Sequence, residues 1–135
     1  MGTQISPLLV VSDENAAISF YKAAFGATVG WYLDPTGQLI AGLTIDGTLF
    51  FLSRELPPAG RRSSTGTGAV PVKIQLFVDD PVAAHRKAVA AGAVEREPVQ
   101  GYEGGATQSR AVKRLVQGNL VDPFGHVWVI GKILE

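Results

Sequence analysis

The sequence predicts an α+β protein built from two tandem copies of one βαβββ unit. An apolar, β-prone run followed by a capped helix occurs twice along the chain. Each helix is followed by three more stretches with strand character, which turn residues separate. Because the two copies align through their first strands and helices, the chain contains an internal repeat.

The first copy opens with the strand-forming run Leu8–Val11. Ser12 and Asp13 follow and can cap a helix, since a short side-chain oxygen accepts a hydrogen bond from the first helical turn. Apolar residues then recur at helical spacing as far as Phe25, and Gly26 predicts the end of the helix. A strand that leads directly into one helix is therefore expected.

The second copy repeats these signals in the same order. Residues 74–78 predict a strand, and Asp79 and Asp80 are candidate helix caps. Pro81 suits a first helical position, and Gly92 predicts the helix end. Superposing the capping aspartates also brings the two helix-ending glycines within one residue of each other.

Three strands are predicted after each helix. They cover residues 29–33, 38–45 and 48–53 in the first copy and 94–98, 114–121 and 127–133 in the second. The turns between them are predicted at residues 34–37, 46–47 and 122–125, where Asp, Pro and Gly cluster. Residues 101–105 are rich in Gly and predict a loop.

The chain is expected to form a single domain over residues 1–135. Unit one covers about residues 5–54, a linker about 55–70, and unit two about 71–135. The linker is rich in Pro, Gly and Ser, which disfavour both helix and strand.

The composition of the chain excludes several classes of function. The chain has 135 residues, with 12 basic and 12 acidic side chains, and shows no basic stripe of the kind that binds nucleic acid. It has no Cys, which excludes thiol catalysis. No apolar run approaches the length of a bilayer span, so we expect a cytoplasmic protein without membrane contact.

Two stretches resemble a known family. The run Ser12-Asp13 to Phe25-Gly26-Ala27, together with Asp122-Pro123-Phe124-Gly125-His126-Val127-Trp128, is similar to the vicinal oxygen chelate superfamily. This superfamily includes glyoxalase I, the bleomycin-resistance proteins and the extradiol dioxygenases, and the resemblance covers about residues 5–132. It implies the glyoxalase/bleomycin-resistance fold, in which the units form a concave mixed sheet, or cup, around a small molecule. For a chain with two units it also implies a homodimer of the bleomycin-resistance type.

The resemblance implies four positions at which metalloenzymes of the superfamily carry ligands. They correspond here to Ser6, Phe51, Lys73 and Val129, none of which is a usual ligand for a divalent ion. A register slip of two residues would offer only Gln75. We therefore predict neither a metal nor another cofactor.

Strand alternation places Ser6, Leu8 and Val10 on one face of the first strand. The repeat puts Lys73, Gln75 and Phe77 on the equivalent face of the second unit. The predicted ligand-binding residues are Leu8, Val10, Trp31, Phe51, Lys73, Gln75, Phe77, Tyr102 and Val129. This set is mostly apolar with a few hydrogen-bonding groups, as is usual for small-molecule pockets. The same apolar residues could instead fill a closed core.

No catalytic residue is assigned. His126 follows the last turn and suits a structural or solvated position, and His85 is expected on the surface of the second helix. Asp122 precedes Pro123 and is expected to bond the backbone of its own turn.

The predicted function is sequestration of a small, partly aromatic compound without a metal, as in antibiotic resistance. The alternative is an enzyme of the same superfamily, a lyase, isomerase or dioxygenase-like protein, that uses Lys73 or His126. A third possibility is an interaction module whose cup serves only as a dimer seam.

Overall fold

The computed structural model describes residues 2–33, 40–55, 72–102, 106–107, 110–111 and 114–134, with the backbone alone at residues 33, 102, 106–107 and 110–111. The chain divides into two compact units, residues 1–69 and residues 70–135, called unit one and unit two below. Residues 56–70 of the predicted linker and the predicted turn at residues 34–37 lie outside the described residues.

Unit one contains one helix and a four-stranded mixed sheet. Its elements are β1 (Leu8–Val11), α1 (Glu14–Phe25), β2 (Thr28–Leu33), β3 (Ile40–Ile45) and β4 (Thr48–Arg54). The strand order is β1-β4-β3-β2, with β1 parallel to β4 and the other pairs antiparallel.

Unit two repeats this topology. Its elements are β5 (Lys73–Phe77), α2 (Pro81–Ala91), β6 (Val94–Tyr102), β7 (Ala106–Thr107), β8 (Arg110–Ala111), β9 (Arg114–Val121) and β10 (Val127–Leu134). The order β5-β10-β9-β6 matches that of unit one strand for strand, and β7 pairs only with β8. The βαβββ repeat predicted from the sequence is therefore confirmed.

The helix boundaries follow the predicted caps. Asp13 Oδ1 accepts a hydrogen bond from the Ala16 amide at 3.1 Å, and Asp80 Oδ1 accepts one from the Ala83 amide at the same distance. Gly26 ends α1 in the left-handed conformation with φ of 70°. Neither helix is long or apolar enough to cross a membrane, in the part of the chain that the structure describes.

The hairpin between β3 and β4 turns at the predicted Asp46-Gly47 pair. Both residues have positive φ, 48° at Asp46 and 82° at Gly47. Two consecutive positive φ angles characterise the type I′ turn, whose twist matches that of the strands it joins. This turn fixes the register in which Ile45 pairs with Thr48.

Strand β6 is longer than predicted. The sequence placed its end at Pro98 and Tyr102 in a following loop, whereas β6 continues to Tyr102. Its pairing with β9 is interrupted between Glu95 and Glu97 and again between Glu97 and Gln100. Pro98 lies in the second irregular stretch, where a residue without a backbone N–H is tolerated.

Each helix packs on one face of its own sheet. In unit one the Tyr21 ring of α1 meets the Phe50 ring of β4 edge to face, with centroids 5.6 Å apart. In unit two Trp128 and Ile130 of β10 are buried, and α2 contacts this strand. Phe50, Trp128 and Ile130 therefore lie on the helix side of their sheets.

Candidate functional site

Each sheet also has a face turned away from its helix, called the open face here. In unit one, residues that alternate with Phe50 along β4 lie on this face, namely Leu49, Phe51 and Ser53. In unit two, the contact between His85 of α2 and Glu95 of β6 marks the helix side of that sheet. Through the strand register, Glu95 shares this side with Leu120 and Trp128.

The open face of unit one carries an aromatic contact. The rings of Trp31 and Phe51 lie 5.3 Å apart at an angle of 61°. Gly42 pairs with both residues in the sheet, and a Cβ added there would lie 2.8 Å from the Trp31 ring. The glycine thus leaves room for the indole to lie across β3. We call Trp31, Gly42 and Phe51 the aromatic ledge.

A β-bulge brings Trp31 to this face. Val29 pairs with Leu43, which is fully buried on the helix side, whereas Trp31 pairs with Gly42 because the register shifts between them. Without the shift, strict alternation would place Trp31 on the same face as Val29. The indole is 40% exposed, so it offers surface to a ligand.

The first strand places its predicted residues beside the ledge. Leu8 pairs with Phe51 and Val10 with Ser53, so both lie on the open face. Leu8 is exposed and Val10 is half-buried. Ser6 precedes the strand, and its hydroxyl accepts a hydrogen bond from Gln4 Nε2 at 3.0 Å.

Unit two presents a more polar open face. Lys73, Gln75 and Phe77 of β5 lie on it, and all three are exposed. Val129, the β10 partner of Gln75, is only 6% exposed and offers little surface to a ligand. The backbone of Tyr102 ends β6 opposite Leu115, and its side chain lies outside the described residues.

A pair of amide side chains, Gln75 and Gln117, bridges this face. The sequence predicted Gln75 as a binding residue but not Gln117. Gln75 Nε2 donates a hydrogen bond to Gln117 Oε1 at 3.0 Å. The two glutamines lie on β5 and β9, the strands that flank β10. Gln117 carries no local signal in the sequence, because its place opposite Gln75 depends on the register of three strands.

The residues at the four positions predicted to correspond to the superfamily's metal ligands do not fit a metal. Ser6, Phe51, Lys73 and Val129 offer one hydroxyl and one ammonium group, and neither is a usual ligand for a divalent ion. Among the described residues, no three His, Cys, Asp or Glu side chains come together.

Asp122 has the structural role predicted for it. Its Oδ1 accepts hydrogen bonds from the amides of Phe124 at 2.8 Å and His126 at 3.0 Å. Its Oδ2 accepts one from Trp128 Nε1 at 2.9 Å. These bonds fix the last turn and the buried indole, which accounts for a carboxylate that is only 3% exposed.

The prediction that His85 lies on the surface is wrong. It is 5% exposed, and its Nε2 lies 2.9 Å from Glu95 Oε2. The contact links α2 to β6, a pairing that helix periodicity could not reveal. Beside it, a groove of about 460 Å³ runs between α2 and β6 on the helix side of unit two, with Val82, Val89 and Pro98 in its lining.

The sequence of the chain matches a known protein family over nearly its whole length. Residues 4–130 match the model of the Glyoxalase/Bleomycin resistance protein/Dioxygenase superfamily. The chain belongs to this superfamily, which confirms the resemblance inferred from its two most specific stretches.

Individual relatives agree with this assignment. An uncharacterized protein from Mycobacterium bovis is 37% identical over 133 residues, which cover 95% of this chain and 82% of that protein. The crystal structure of TioX from Micromonospora sp. ML1 is similar with a TM-score of 0.67 at 21% identity, covering 98% of this chain and 100% of TioX. Fosfomycin resistance protein FosX from Listeria monocytogenes, solved with Mn(II) and 1S,2S-dihydroxypropylphosphonic acid, has a TM-score of 0.64 at 15% identity, with coverages of 96% and 90%. At these identities the two structures support the fold alone.

Proposed function

We propose that this protein binds and sequesters a small, flat, partly aromatic molecule on the open faces of its sheets, without a metal and without transforming it. In this proposal it acts in the cytoplasm as a homodimer and protects against a toxic compound, as an antibiotic-resistance protein does. The aromatic ledge is the observation that carries the proposal. An indole that is 40% exposed, supported from below by a glycine and from the side by Phe51, is a preformed stacking surface.

The side chains around the ledge favour binding over chemistry. Leu8, Val10 and Phe51 are apolar, and no three His, Cys, Asp or Glu side chains come together in the described part of the chain. Binding requires apolar contact area and a few orienting hydrogen bonds. On the open face of unit two, the exposed Lys73 and Gln75 carry hydrogen-bonding groups.

An enzyme of the same superfamily is the second candidate. FosX, whose solved structure contains Mn(II) and a dihydroxypropylphosphonic acid, shares the fold. Lys73 or His126 would have to supply the chemistry in this chain. Turnover of a bound compound would favour this candidate.

Substitution of Phe51 tests the proposal, with methyl 2-naphthoate as a flat aromatic probe. The probe should quench the fluorescence of Trp31, whereas Trp128, at 2% exposure, should respond little. Phe51→Ala should weaken binding by about 1–3 kcal/mol, the usual scale for an aromatic residue at the centre of a contact. Calorimetric titration and thermal melting would be measured on the same protein.

Phe50→Leu is the matched control, because Phe50 lies on the opposite face of the same strand. This change should lower the melting temperature and leave probe affinity unchanged at a temperature where the variant is folded. The pocket assignment would be wrong if Phe51→Ala lost stability but kept the parent's affinity.

A further inference from the structure

The amide pair has a defined geometry on the open face of unit two. Gln75 Nε2 donates to Gln117 Oε1 at 3.0 Å. In the sheet, Gln75 is paired with Val129 and Gln117 with Gly131, so the hydrogen bond passes diagonally over β10. The pair therefore spans three strands of one sheet.

Gly131 lies beneath this bridge. A Cβ added at this position would lie 2.8 Å from Gln117 Cβ and 2.7 Å from the Val116 carbonyl oxygen. Contacts this short do not occur between real side chains, so only glycine fits under the amides in this arrangement. The close approach holds Gln117 against β10 beside its partner.

The pair leaves hydrogen-bonding groups unused. An amide side chain has one acceptor oxygen and two donor hydrogens. After the bond between them, Gln75 retains its Oε1 acceptor and one Nε2 hydrogen, and Gln117 retains both hydrogens of its Nε2. No other hydrogen bond joins either amide to a residue in the described part of the chain.

We infer that the amide pair recognises a carboxamide group on a molecule bound at the open face of unit two. The ligand N–H donates to Gln75 Oε1, and the ligand carbonyl accepts from Gln117 Nε2, so the unused acceptor and one unused donor of the pair each gain a partner. Phe77, which pairs with Gly131 from the other side and is 52% exposed, offers apolar surface to the adjoining part of the ligand. This inference rests on the proposed binding function and names the chemistry of its ligand.

Other ligand groups match the pair less well. An ester or a carboxylate has no N–H, so it would leave the Gln75 oxygen without a donor. Binding of an ester would therefore forgo about one net hydrogen bond. A carboxylate could instead be attracted by Lys73, two residues before Gln75 on the same face.

Three probes with the same ring separate these possibilities, namely 2-naphthamide, methyl 2-naphthoate and 2-naphthoate. The full chain should bind the amide about five- to tenfold more tightly than the ester, the value of roughly one net hydrogen bond. In ¹⁵N-labelled protein, the amide should shift the side-chain NH₂ signals of Gln75 and Gln117. Gln75→Met should remove the preference, because methionine has no side-chain oxygen to accept from the ligand N–H, whereas the carbonyls of amide and ester can both accept from Gln117.

Asn119→Leu is the matched control, because it removes an amide from the same face of the sheet and leaves Gln75 Oε1 in place. It should keep the preference for the amide. The inference is overturned if the chain binds amide and ester equally, if Gln75→Met keeps the preference, or if Asn119→Leu loses it as well. Tighter binding of 2-naphthoate than of the amide would overturn it in favour of Lys73.

These outcomes are distinct from failure of the proposed function. Binding of the ester with quenching of Trp31, combined with no preference for the amide, would preserve the proposed function and reject only the amide pair. Binding of none of the three probes would reject both.

Discussion

At the scale of single residues, glycines decide which side chains reach the open faces. Gly42 leaves space for the Trp31 ring, and Gly131 leaves space for Gln117. The two differ in what surrounds them. An added Cβ at Gly42 would meet a partly exposed side chain, whereas one at Gly131 would meet the backbone of β9.

Alanine at these two positions should therefore have different effects. Gly42→Ala should displace the Trp31 ring, with less than about 1 kcal/mol lost in stability but weaker binding of methyl 2-naphthoate. Gly131→Ala should cost about 2 kcal/mol, because the carbonyl of Val116 cannot move aside without disturbing the sheet. Denaturant unfolding and probe titration on both variants check this, and equal stability losses would contradict it.

At the scale of elements, strand alternation predicted the faces better than it predicted the strand ends. The separation of Phe50 from Phe51, and of Trp128 from Val129, follows directly from a period of two. The length of β6 was underestimated, because Pro98 was taken as a strand end when it lies in an irregular stretch of the strand.

Local sequence patterns could not predict the contacts between residues on different elements. The bulge that places Trp31 on the open face depends on how β2 pairs with β3. The Gln75–Gln117 bond and the His85–Glu95 contact likewise join residues on different elements. Such contacts require the register, which the hydrophobic pattern alone does not specify.

Helix α1 begins with Glu14, whose surroundings make the stability of the folded protein depend on pH. Burial raises the pKa of Glu14 above its ordinary value of 4.5, while the Arg54 guanidinium acts in the opposite direction. Its Oε2 is buried without a hydrogen-bond partner in the described structure. The folded state thus favours the protonated form more than the unfolded state does.

Glu14→Gln should reveal this effect. A raised pKa in the folded state stabilises the protein at low pH, and this contribution is lost as the pH rises from 4.5 through the raised value. The variant cannot titrate at this position. Its free energy of unfolding relative to that of the parent should therefore increase as the pH rises from 4.5 through the raised pKa. Urea unfolding of both proteins at pH 4 to 7 would show it, and a difference that stays constant with pH would contradict the assignment.

At the scale of the whole molecule, the sequence was sufficient to predict the repeat and the superfamily. Both follow from capped helices and turns that occur twice in the same order, and the family match over residues 4–130 agrees with them. The ligand, the homodimer and the predicted binding residues remain predictions. Leu8 and Phe77, which are 42% and 52% exposed, are apolar surface that a ligand or a second chain would cover.

Native mass spectrometry of the full chain incubated with methyl 2-naphthoate tests the central claim most directly. One spectrum reports the number of chains, the presence of the ligand and the mass that the ligand adds. We expect a dimer that carries the ester at its original mass after prolonged incubation, since sequestration requires affinity and no chemistry. A protein that binds no ester, or one that returns it with an altered mass, would contradict the account.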